Sequence, residues 1–409
     1  MIKIEKVIPG GQSLGTNKDG KKVFFWNALP GEIIKEYSIT KQKSHYEEAI
    51  ATKIQNQSPY RVTPLDTCYL STSPWQIIDY NYELRLKQEL VTEIFHEHHI
   101  DIGTPEIATD NKDYHYRNKM EYALYWNHTL SQIQLAFRQR GTHRKIPISK
   151  SSSERPEIFQ AASETIKELN SRHEEARKYQ TLLLRCNQQG KISGGLYENH
   201  QPHPLFPHLT DKIMGREFSY SPNGFFQINL PVYEMALTEI KKHIATNTVL
   251  DLYAGVGTIG LSVASDRHLT LVESDKYAFS EMVKNITTST NSTSDSVTNS
   301  TNHSEQQTNQ AQVRNGNILA VLDKSENVTN YISHNQTVIL DPPRAGCDKK
   351  LIEELLTLKP TKIIYLSCNP ATQARDVKLL LEYYRIEIVK TFNFFPHTPH
   401  IENLVILSL

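Results

Sequence analysis

Cysteine, long apolar runs and net charge are all scarce in this sequence. Its 409 residues include four cysteines and no C-x-x-C pair, so neither a disulfide framework nor a zinc site is expected. No apolar run approaches the roughly 18 residues that a membrane span needs. The first residues, MIKIEKVIPGGQ, contain no apolar signal-peptide core, and a cytoplasmic location is therefore expected. The 45 basic and 45 acidic residues cancel, which neither supports nor excludes a nucleic-acid partner.

What is present begins with a β-rich segment at residues 1–58. Short β-rich runs alternate there with the turn signals PGG, NKDGK and PGE. Segments this short do not suit α/β units, and they favour a closed β-barrel of the OB type. Such a barrel is either a structural appendage or a binder of single-stranded RNA through its loops.

The period of the apolar residues changes in the next region, residues 59–218, which is predicted to be an α+β domain. Apolar residues recur at helical spacing from Ile77 to Phe95, which predicts a long amphipathic helix over 76–97. Residues 155–190 are predicted to be helical as well.

Basic and aromatic residues interleave between residues 111 and 150, where eight lysines and arginines accompany two acidic residues. Phosphates attract the basic side chains and bases stack on the aromatic ones, so this stretch favours RNA binding. An ordinary solvated strand face would have the same composition. The candidate RNA-binding residues are Arg117, Asn118, Lys119, Arg138 and Arg140.

Strands and helices alternate in residues 219–409, which predicts a doubly wound, mostly parallel α/β sheet of the Rossmann type. The run TVLDLYAGVGTIGLSVA is a strand, a glycine-rich turn and a helix. Its glycines Gly255, Gly257 and Gly260 allow a ligand to approach the backbone closely. A second strand ends in Glu273, which can accept both hydroxyls of a ribose.

Two further strands end in the motifs DPPRAG and SCNPAT. Doubly wound sheets bind ligands at the carboxyl ends of their strands, so these motifs belong to the predicted site. A GVG turn without other phosphate-cradling features suits adenosine with a sulfonium tail better than a dinucleotide. S-adenosylmethionine (SAM) is therefore the predicted cofactor, ahead of NAD.

Residues 286–310 are nearly pure Asn, Ser, Thr and Gln. A segment of this composition cannot bury enough apolar surface to offset the entropy cost of ordering it. It is predicted to be a disordered surface insertion.

Cys368 follows an apolar strand at the predicted ligand-binding edge, where a cysteine serves as packing, as a metal ligand or as a nucleophile. A thiolate in this position suits attack at C6 of a uracil ring, after which C5 can take up a methyl group. Release of the product then needs a base near C5. The C-terminal stretch offers His397, His400 and Glu402 for this role.

Six ordered motifs resemble those of the RNA uracil-C5 methyltransferases, which act on tRNA or rRNA, and the resemblance covers nearly the whole chain. The motifs are YRNK, SPNGFFQIN, DLYAGVGTIGL, DPPRAG, SCNPAT and FPHTPHIE. The first residues also resemble a TRAM domain, an RNA-binding barrel. The resemblance implies Cys368 as nucleophile, Glu402 as base and Asp341 beside the methyl group and the target base. It implies a SAM site formed by Gln227, Asp251, Tyr253, Gly255, Gly257, Glu273, Asn317 and Asp341.

The chain departs from this family in two places. Many TRAM-bearing relatives hold a 4Fe–4S cluster through a cysteine-rich segment before the long helix, together with a later cysteine. Here Ser71, Thr72 and Ser73 stand where that segment would end, Cys68 is alone, and ISKSSSE replaces the later cysteine. No cluster is therefore predicted. Asn393 stands where the family commonly has an aspartate, so no role is carried over for it.

The predicted function is SAM-dependent methylation of C5 of a uridine in RNA, by a protein expected to be a monomer. One alternative is another SAM-dependent methyltransferase, of cytosine C5 or of an exocyclic amine. Arg344 follows Pro-Pro where amine enzymes have an aromatic residue, and Cys347 does not match the Pro-Cys of cytosine enzymes. The other alternative is a catalytically silent RNA-binding or folding factor. The sequence does not identify the uridine, nor whether it lies in tRNA or rRNA.

Overall fold

A computed structural model describes residues 1–142, 144–172, 175–198, 201–203, 206–287 and 311–409. These residues fall into two units. Unit 1 comprises Met1–Glu93, Asn111–Pro207 and Phe395–His400, and unit 2 comprises Ile94–Asp110, His208–Phe394 and Ile401–Leu409. Within the described ranges, no helix is both long enough and apolar enough to cross a membrane. The predicted insertion at 286–310 lies outside the described residues, except for Ile286 and Thr287, which end a helix.

Five strands close a barrel at the start of unit 1, which confirms the predicted N-terminal β-barrel. The strands are β1 (Ile2–Val7), β2 (Ser13–Thr16), β3 (Lys22–Trp26), β4 (Ile33–Gln42) and β5 (Tyr46–Ile54). They pair in the closed order β1-β2-β3-β5-β4. Alternate apolar side chains such as Ile4, Val23 and Phe25 fill the barrel interior, because successive side chains of a strand point to opposite faces.

A six-stranded antiparallel sheet forms the rest of unit 1, in the order β12-β11-β10-β7-β8-β9. Its strands are β7 (Lys119–Asn127), β8 (Gln132–Arg138), β9 (Lys145–Pro147), β10 (Tyr179–Cys186), β11 (Ile192–Glu198) and β12 (Gln201–His203). The helices in this part of the chain are α1 (Tyr69–Thr72), α2 (Tyr80–Glu97), α3 (Pro156–Ser171) and a 3-10 turn (Glu175–Lys178). Apolar residues of α3 pack against this sheet around Leu182 and Leu184.

Two helix predictions in this region need correction. The helix predicted over 76–97 begins at Tyr80 instead, because Asp79 caps it: the backbone N–H of Tyr82 donates to Asp79 Oδ1 at 3.1 Å. The helix predicted over 155–190 ends at Ser171. The apolar run that follows, β10, is instead a central strand paired with β7 and β11.

Unit 2 contains a nine-stranded sheet in the order β17-β18-β16-β15-β19-β20-β22-β21-β6. Its strands are β6 (Glu106–Ala108), β15 (Thr248–Leu252), β16 (His268–Glu273), β17 (Gln312–Asn315), β18 (Ile318–Leu322), β19 (Gln336–Leu340), β20 (Lys362–Ser367), β21 (Arg385–Phe392) and β22 (Glu402–Ser408). Five adjacent strands of this sheet are parallel to one another, in the order β18-β16-β15-β19-β20. This confirms the predicted doubly wound, mostly parallel sheet.

Helices and one hairpin accompany this sheet. They are the hairpin β13 (Leu209–Ile213) and β14 (Arg216–Tyr220), the helices α4 (Leu230–Lys242), α5 (Thr258–Val263), α6 (Lys276–Thr287), α7 (Lys349–Leu358) and α8 (Pro370–Leu380), and a 3-10 turn (Ser325–Asn330). Strand β19 is buried at all five positions, as expected for a strand covered on both faces.

The order of the strands fixes where a ligand can bind. From β15 the chain runs outward to β16 and β18, then returns to β19 on the other side of β15 and continues to β20. The direction of winding therefore reverses between β15 and β19. Open parallel sheets bind ligands in the crevice that such a reversal leaves at the carboxyl ends of the strands.

Candidate active site

Cys368 and Glu402 lie across from each other in neighbouring strands of unit 2. Strand β20 ends at Ser367, directly before Cys368, and β22 begins at Glu402. The two strands are antiparallel with Ser367 paired to Asn403, so the continuation of this register sets Cys368 opposite Glu402. Opposite residues of an antiparallel pair have Cβ atoms about 4.5–5.5 Å apart. The two side chains are therefore neighbours.

Asp341 directly follows the adjacent strand β19, and its carboxyl group lies near that of Glu402. Burial raises the pKa of Asp341. Burial also raises the pKa of Glu402 well above its usual value, and the nearby Asp341 raises it further. Glu402 is 3% exposed, and its Oε2 atom has no hydrogen-bond partner among the residues that the structure describes. Two buried carboxyl groups in this relation resist being ionised together, so one of them keeps a proton near neutral pH.

Cys368 is half-buried, whereas Cys68, Cys186 and Cys347 are buried. Burial raises the pKa of the Cys368 thiol to about 11, and the carboxylates of Glu402 and Asp341 contribute to the rise. The positive charge of Arg344 and its hydrogen bond to the thiol oppose that rise. The group is therefore a thiol at neutral pH, and Arg344 is placed to stabilise its thiolate.

Arg344 was not among the predicted site residues, although DPPRAG puts it three positions after Asp341. Helix α8 fixes its backbone: Asn369 Nδ2 donates to Arg344 O at 2.8 Å, and Thr372 Oγ1 donates to the same atom at 3.2 Å. Asn369 and Thr372 belong to the SCNPAT motif. The SCNPAT motif, which contains Cys368, therefore also orients the cation beside the Cys368 thiol.

The glycine-rich turn after β15 has the backbone geometry that the sequence predicts. Gly255 and Gly257 have φ angles of 57° and 85°, which only glycine adopts readily. A Cβ atom added at Gly255 would meet nothing within 4 Å, so open space lies in front of the turn. The Gly255 N–H donates to Glu273 Oε2 at 2.8 Å, which joins the turn to the end of β16. Tyr253 has a φ of 61°, a strained value for a residue with a side chain, and such strain occurs often at binding sites.

Asp251, on β15, is hydrogen-bonded to the helix that follows this turn. Its Oδ2 atom accepts the Gly260 N–H at 2.7 Å, while its buried Oδ1 atom has no partner. Burial raises the pKa of Asp251 to about 8. An unpartnered buried carboxylate oxygen beside an open turn suits a ligand with a positive charge or a hydrogen-bond donor.

Two further polar side chains near this edge were not predicted from the sequence. Tyr233 on α4 is buried, and the carboxylates of Asp341, Asp251 and Glu402 contribute to a pKa well above its usual value, so it stays a hydroxyl donor. Asn229, directly before α4, donates to Phe394 O at 3.2 Å and keeps a buried Oδ1 atom without a partner. A polar residue in an otherwise apolar helix face was the available sequence signal for Tyr233.

The predicted cofactor residues do not all come together. Asp251, Tyr253, Gly255, Gly257, Glu273 and Asp341 lie at the carboxyl edge of the sheet, and Gln227 is buried in the segment before α4. Asn317 precedes β18 and accepts the Leu269 N–H near the start of β16, which is the opposite edge. Its side chain donates to the carbonyls of Ser265 and Arg267. Asn317 therefore does not join the other residues, whereas the backbone N–H of Asp323, directly after β18, donates to Glu273 O at 3.0 Å.

The predicted RNA-binding residues lie in unit 1 and differ in exposure. Arg138 is exposed, and Asn118 is 5% exposed. Burial, with Arg185 nearby, lowers the pKa of Lys119 to about 8. Arg117 is half-buried, and its backbone pairs with Ser153 and Arg155.

Arg140 already has partners within unit 1. Its guanidinium carbon lies 4.2 Å from the ring centroid of Trp26, and its Nε atom donates to Leu70 O at 2.5 Å. Direct RNA binding by these five side chains stays a prediction, and exposure favours Arg138 among them.

The region where the resemblance expects an iron–sulfur cluster has hydroxyl groups instead of thiols. Ser73 Oγ and Ser153 Oγ lie 2.8 Å apart, and Asp66 Oδ2 accepts the Ser152 hydroxyl at 2.7 Å. Cys68 belongs to the apolar core of the adjoining sheet, and burial raises its pKa to about 11. Clusters are held by cysteine thiolates, so these side chains do not fit one.

The two histidines considered as alternative bases both belong to unit 1, while Glu402 belongs to unit 2. The His397 ring lies 3.3 Å from Asp113 through Nε2, and its backbone N–H donates to Glu83. These partners raise the pKa of His397 to about 9 against the opposing effect of burial. The His397 side chain is therefore protonated at neutral pH and pairs with Asp113 and Glu83.

The fold and this edge define the chain as a methyltransferase with a doubly wound sheet. The solved structure of a Pyrococcus abyssi tRNA (uracil-54, C5)-methyltransferase in complex with S-adenosyl-L-homocysteine has the same fold. It matches with a TM-score of 0.72 and 21% identity over the full length of both chains.

Residues 208–409 match the model of the tRNA (Uracil-5-)-methyltransferase family. Relatives over nearly the whole length are described as uncharacterized RNA methyltransferases. One from Prochlorococcus marinus is 28% identical and covers 93% of this chain and 99% of the relative. One from Lactobacillus johnsonii is 26% identical and covers 100% of this chain and 96% of the relative. The resemblance noted from the sequence is thereby confirmed.

Proposed function

We propose that this protein transfers a methyl group from SAM to C5 of a uridine in RNA, through a covalent bond between Cys368 and C6 of the uracil. The observation that carries the proposal is the register of β20 and β22: it pairs Ser367 with Asn403, and its continuation by one residue sets Cys368 opposite Glu402, with Asp341 and Arg344 nearby. A nucleophile, a base and a cation then share one small, largely buried place. No purely structural reason requires that combination.

The covalent step follows from the chemistry of the thiol. The half-buried Cys368 gives its proton to solvent water, and the Sγ electron pair forms a bond to C6 while the C5–C6 π electrons move onto C5 and the O4 carbonyl. Arg344 stabilises the thiolate, since its charge and hydrogen bond lower the pKa of Cys368. C5 becomes nucleophilic, and bound SAM supplies the electrophilic methyl group that it takes up.

Product release needs the base. After methylation C5 carries both a methyl group and its original hydrogen. Glu402 removes that proton, the electron pair restores the C5–C6 double bond, and the C6–Sγ bond breaks to return Cys368. Glu402 must be ionised at this point, although its surroundings raise its pKa. Its free Oε2 atom is available for the proton.

The residues at the carboxyl edge fit an adenosyl cofactor. Glu273 lies at the end of β16, where a carboxylate can bind ribose hydroxyls, and open space lies in front of Gly255. Burial raises the pKa values of Asp251 and Asp341, and the positive charge of a bound sulfonium would favour their ionised forms; the Oδ1 atom of Asp251 is available for such a contact. These side chains would hold the cofactor.

The RNA substrate is inferred from the family and from the region around Arg138. The matched family and the P. abyssi structure both name tRNA, so tRNA is the first substrate to test. An N-terminal barrel that binds RNA, a monomeric state and a cytoplasmic location stay predictions.

The test is nucleoside mass spectrometry of tRNA and rRNA incubated with SAM and the protein. We expect 5-methyluridine with the wild type and none with Cys368→Ala. Fragment analysis then locates the uridine. Methylated cytidine, or no methylated nucleoside in either RNA, would contradict the proposal.

A further inference from the structure

One buried amide joins the cofactor turn to the segment that leads to Gln227. Asn285 on α6 is 1% exposed. Its Oδ1 atom accepts the Ser219 N–H at 2.8 Å, and its Nδ2 atom donates to Ser219 O at 3.1 Å. The same Nδ2 atom donates to Val256 O at 3.0 Å. Val256 lies between Gly255 and Gly257, and Ser219 lies in β14, directly before SPNGFFQIN.

Both polar atoms of the Asn285 amide have hydrogen-bond partners. One oxygen accepts a backbone N–H, and the two hydrogens of the nitrogen go to two backbone carbonyls, which is all that an asparagine nitrogen can donate. Only an uncharged amide provides an acceptor and two donors in this arrangement. Aspartate has the same size but would direct oxygen atoms at the two carbonyls.

Two neighbours of Asn285 on α6 contact the same pair of segments. Glu281, one turn earlier, accepts the Ser221 N–H at 2.9 Å. Met282 is fully buried, and its Cγ atom would lie 3.1 Å from a Cβ atom added at Gly257. One face of α6 therefore contacts both the glycine turn and the start of SPNGFFQIN.

From these contacts we propose that Asn285 is a positioning residue for cofactor binding. It holds the Gly255–Gly257 turn in register with the Ser219–Ser221 segment. It touches neither cofactor nor substrate, because all its polar atoms go to the backbone. This inference rests on the proposed function, since it assigns the turn to SAM.

The role has a specific kinetic signature. Without the bond to Val256 O, the turn loses its link to β14, and the open face at Gly255 is no longer fixed for the ligand. Binding of the cofactor should weaken while Cys368, Arg344 and Glu402 keep their places on β20, β22 and the DPPRAG loop. The loss should therefore appear in the KM for SAM and not in kcat at saturating SAM.

The experiment compares Asn285→Asp and Asn285→Ala with Ser280→Ala, an exposed position on the same helix. Titration calorimetry gives the Kd for S-adenosylhomocysteine, and initial rates on RNA give KM and kcat. We expect the Kd and the KM for SAM to rise about tenfold in both Asn285 variants, because each loses at least one buried hydrogen bond. Both kcat values and the Kd for RNA should stay within about threefold of the wild type.

Thermal melting of each variant separates positioning from folding. An unchanged KM in a folded Asn285→Asp protein would overturn the inference. An equal loss of affinity for S-adenosylhomocysteine and for RNA would also overturn it, because that pattern indicates general loosening. A wild-type protein that does not bind S-adenosylhomocysteine would overturn the proposed function, and this inference with it.

Discussion

Glu83 in unit 1 and Glu402 in unit 2 are both buried glutamates, but their surroundings are opposite. Lys87 Nζ lies 2.8 Å from Glu83, with both side chains fully buried, and both oxygens of Glu83 accept the His397 N–H at 3.0 Å. Glu402 has an acidic neighbour, Asp341, and an oxygen without a partner. Although burial alone would raise it, Lys87 and His397 lower the pKa of Glu83, whereas the pKa of Glu402 is raised.

This difference separates a carboxylate that stabilises the fold from the one that the proposed mechanism uses as a base. A buried charge costs several kcal/mol unless a partner compensates it. Glu83 has that compensation from a cation and a backbone N–H. Glu402 does not, so its surroundings favour the protonated form and make it a group that gives and takes a proton. Perturbed carboxyl groups in a cleft are candidates for function for this reason.

The largest expected effect concerns the nucleophile beside Glu402. Cys368→Ala should lower turnover by at least about a thousandfold, because no covalent activation of C6 remains. Binding of S-adenosylhomocysteine, measured by calorimetry, should stay near the wild-type value. Loss of that binding would indicate that Cys368 supports the structure of the cofactor site.

Glu402→Gln should stop the reaction one step later. Glutamine keeps the size of the side chain but cannot take the C5 proton, so the methylated adduct should persist. Incubation with methyl-labelled SAM and RNA should give a labelled protein–RNA band on a denaturing gel. The double variant Cys368→Ala, Glu402→Gln should give no band. Turnover of Glu402→Gln at the wild-type rate without an adduct would assign the base elsewhere.

Glu83→Gln should chiefly affect stability. Removing one partner of a buried ion pair leaves Lys87 uncompensated, which costs roughly 3 kcal/mol of the free energy of unfolding. Urea denaturation measures this loss, and Glu402→Gln is the matched control, since the surroundings of Glu402 already favour its uncharged form. The contrast between the two glutamates fails if both variants are equally destabilised.

The stability of the fold should depend on pH through the buried pair Glu402 and Asp341. The folded chain holds the protons of Glu402 and Asp341 more tightly than the unfolded chain does, because both pKa values are raised. Their contribution to stability is therefore lost as pH rises through the folded pKa values, while the rate of product release increases. Asp341→Asn should reduce this loss of stability, measured as melting temperature over roughly pH 4 to pH 8, which spans the ordinary pKa of a carboxyl group and the folded pKa of Asp341 of about 7. An identical pH dependence in wild type and variant would contradict the assignment.

The smallest effect is expected from deletion of residues 288–310, which include neither carboxylate. A long polar segment adds little loop-closure entropy, so activity should stay within about twofold and stability nearly unchanged. The measurements are kcat/KM on RNA and the melting temperature. A large drop in activity would mean that the segment contacts the substrate.

Secondary structure could be predicted from the sequence where it depends only on residues of one short segment. The strand, glycine turn and helix around Gly255 could be predicted because apolar periodicity and glycine placement are local properties. The start of α2 was predicted too early because the apolar residues at helical spacing begin at Ile77, before the capping residue Asp79, and the helix itself begins only after the cap. Strand β10 was taken for a helix because a short apolar run does not reveal its period, and only its pairing with β7 and β11 decides its form.

The candidate site could be predicted in part. Cys368, Asp341 and Glu273 stand at the ends of apolar runs, and parallel strands bring such ends to one edge. Arg344 and Tyr233 were missed because their local signals are weak, a basic residue after Pro-Pro and a polar residue in an apolar helix face, and because their proximity to Glu402 depends on contacts across the sheet. Asn317 was counted among the cofactor residues, whereas the structure places it directly before β18, near the start of β16.

By itself the sequence determined the alternation of strands and helices, the glycine turn and the order of the six motifs, since these depend on neighbours along the chain. Only the tertiary structure decided the ionisation of the buried groups. Whether a carboxyl group keeps its proton depends on how much water is removed from it and which charges lie near it. For Glu83 those charges are Lys87 and His397, and for Glu402 they are Asp341 and Arg344. Most of these partners are distant in sequence, so folding, and not the local motif, gives each glutamate its role.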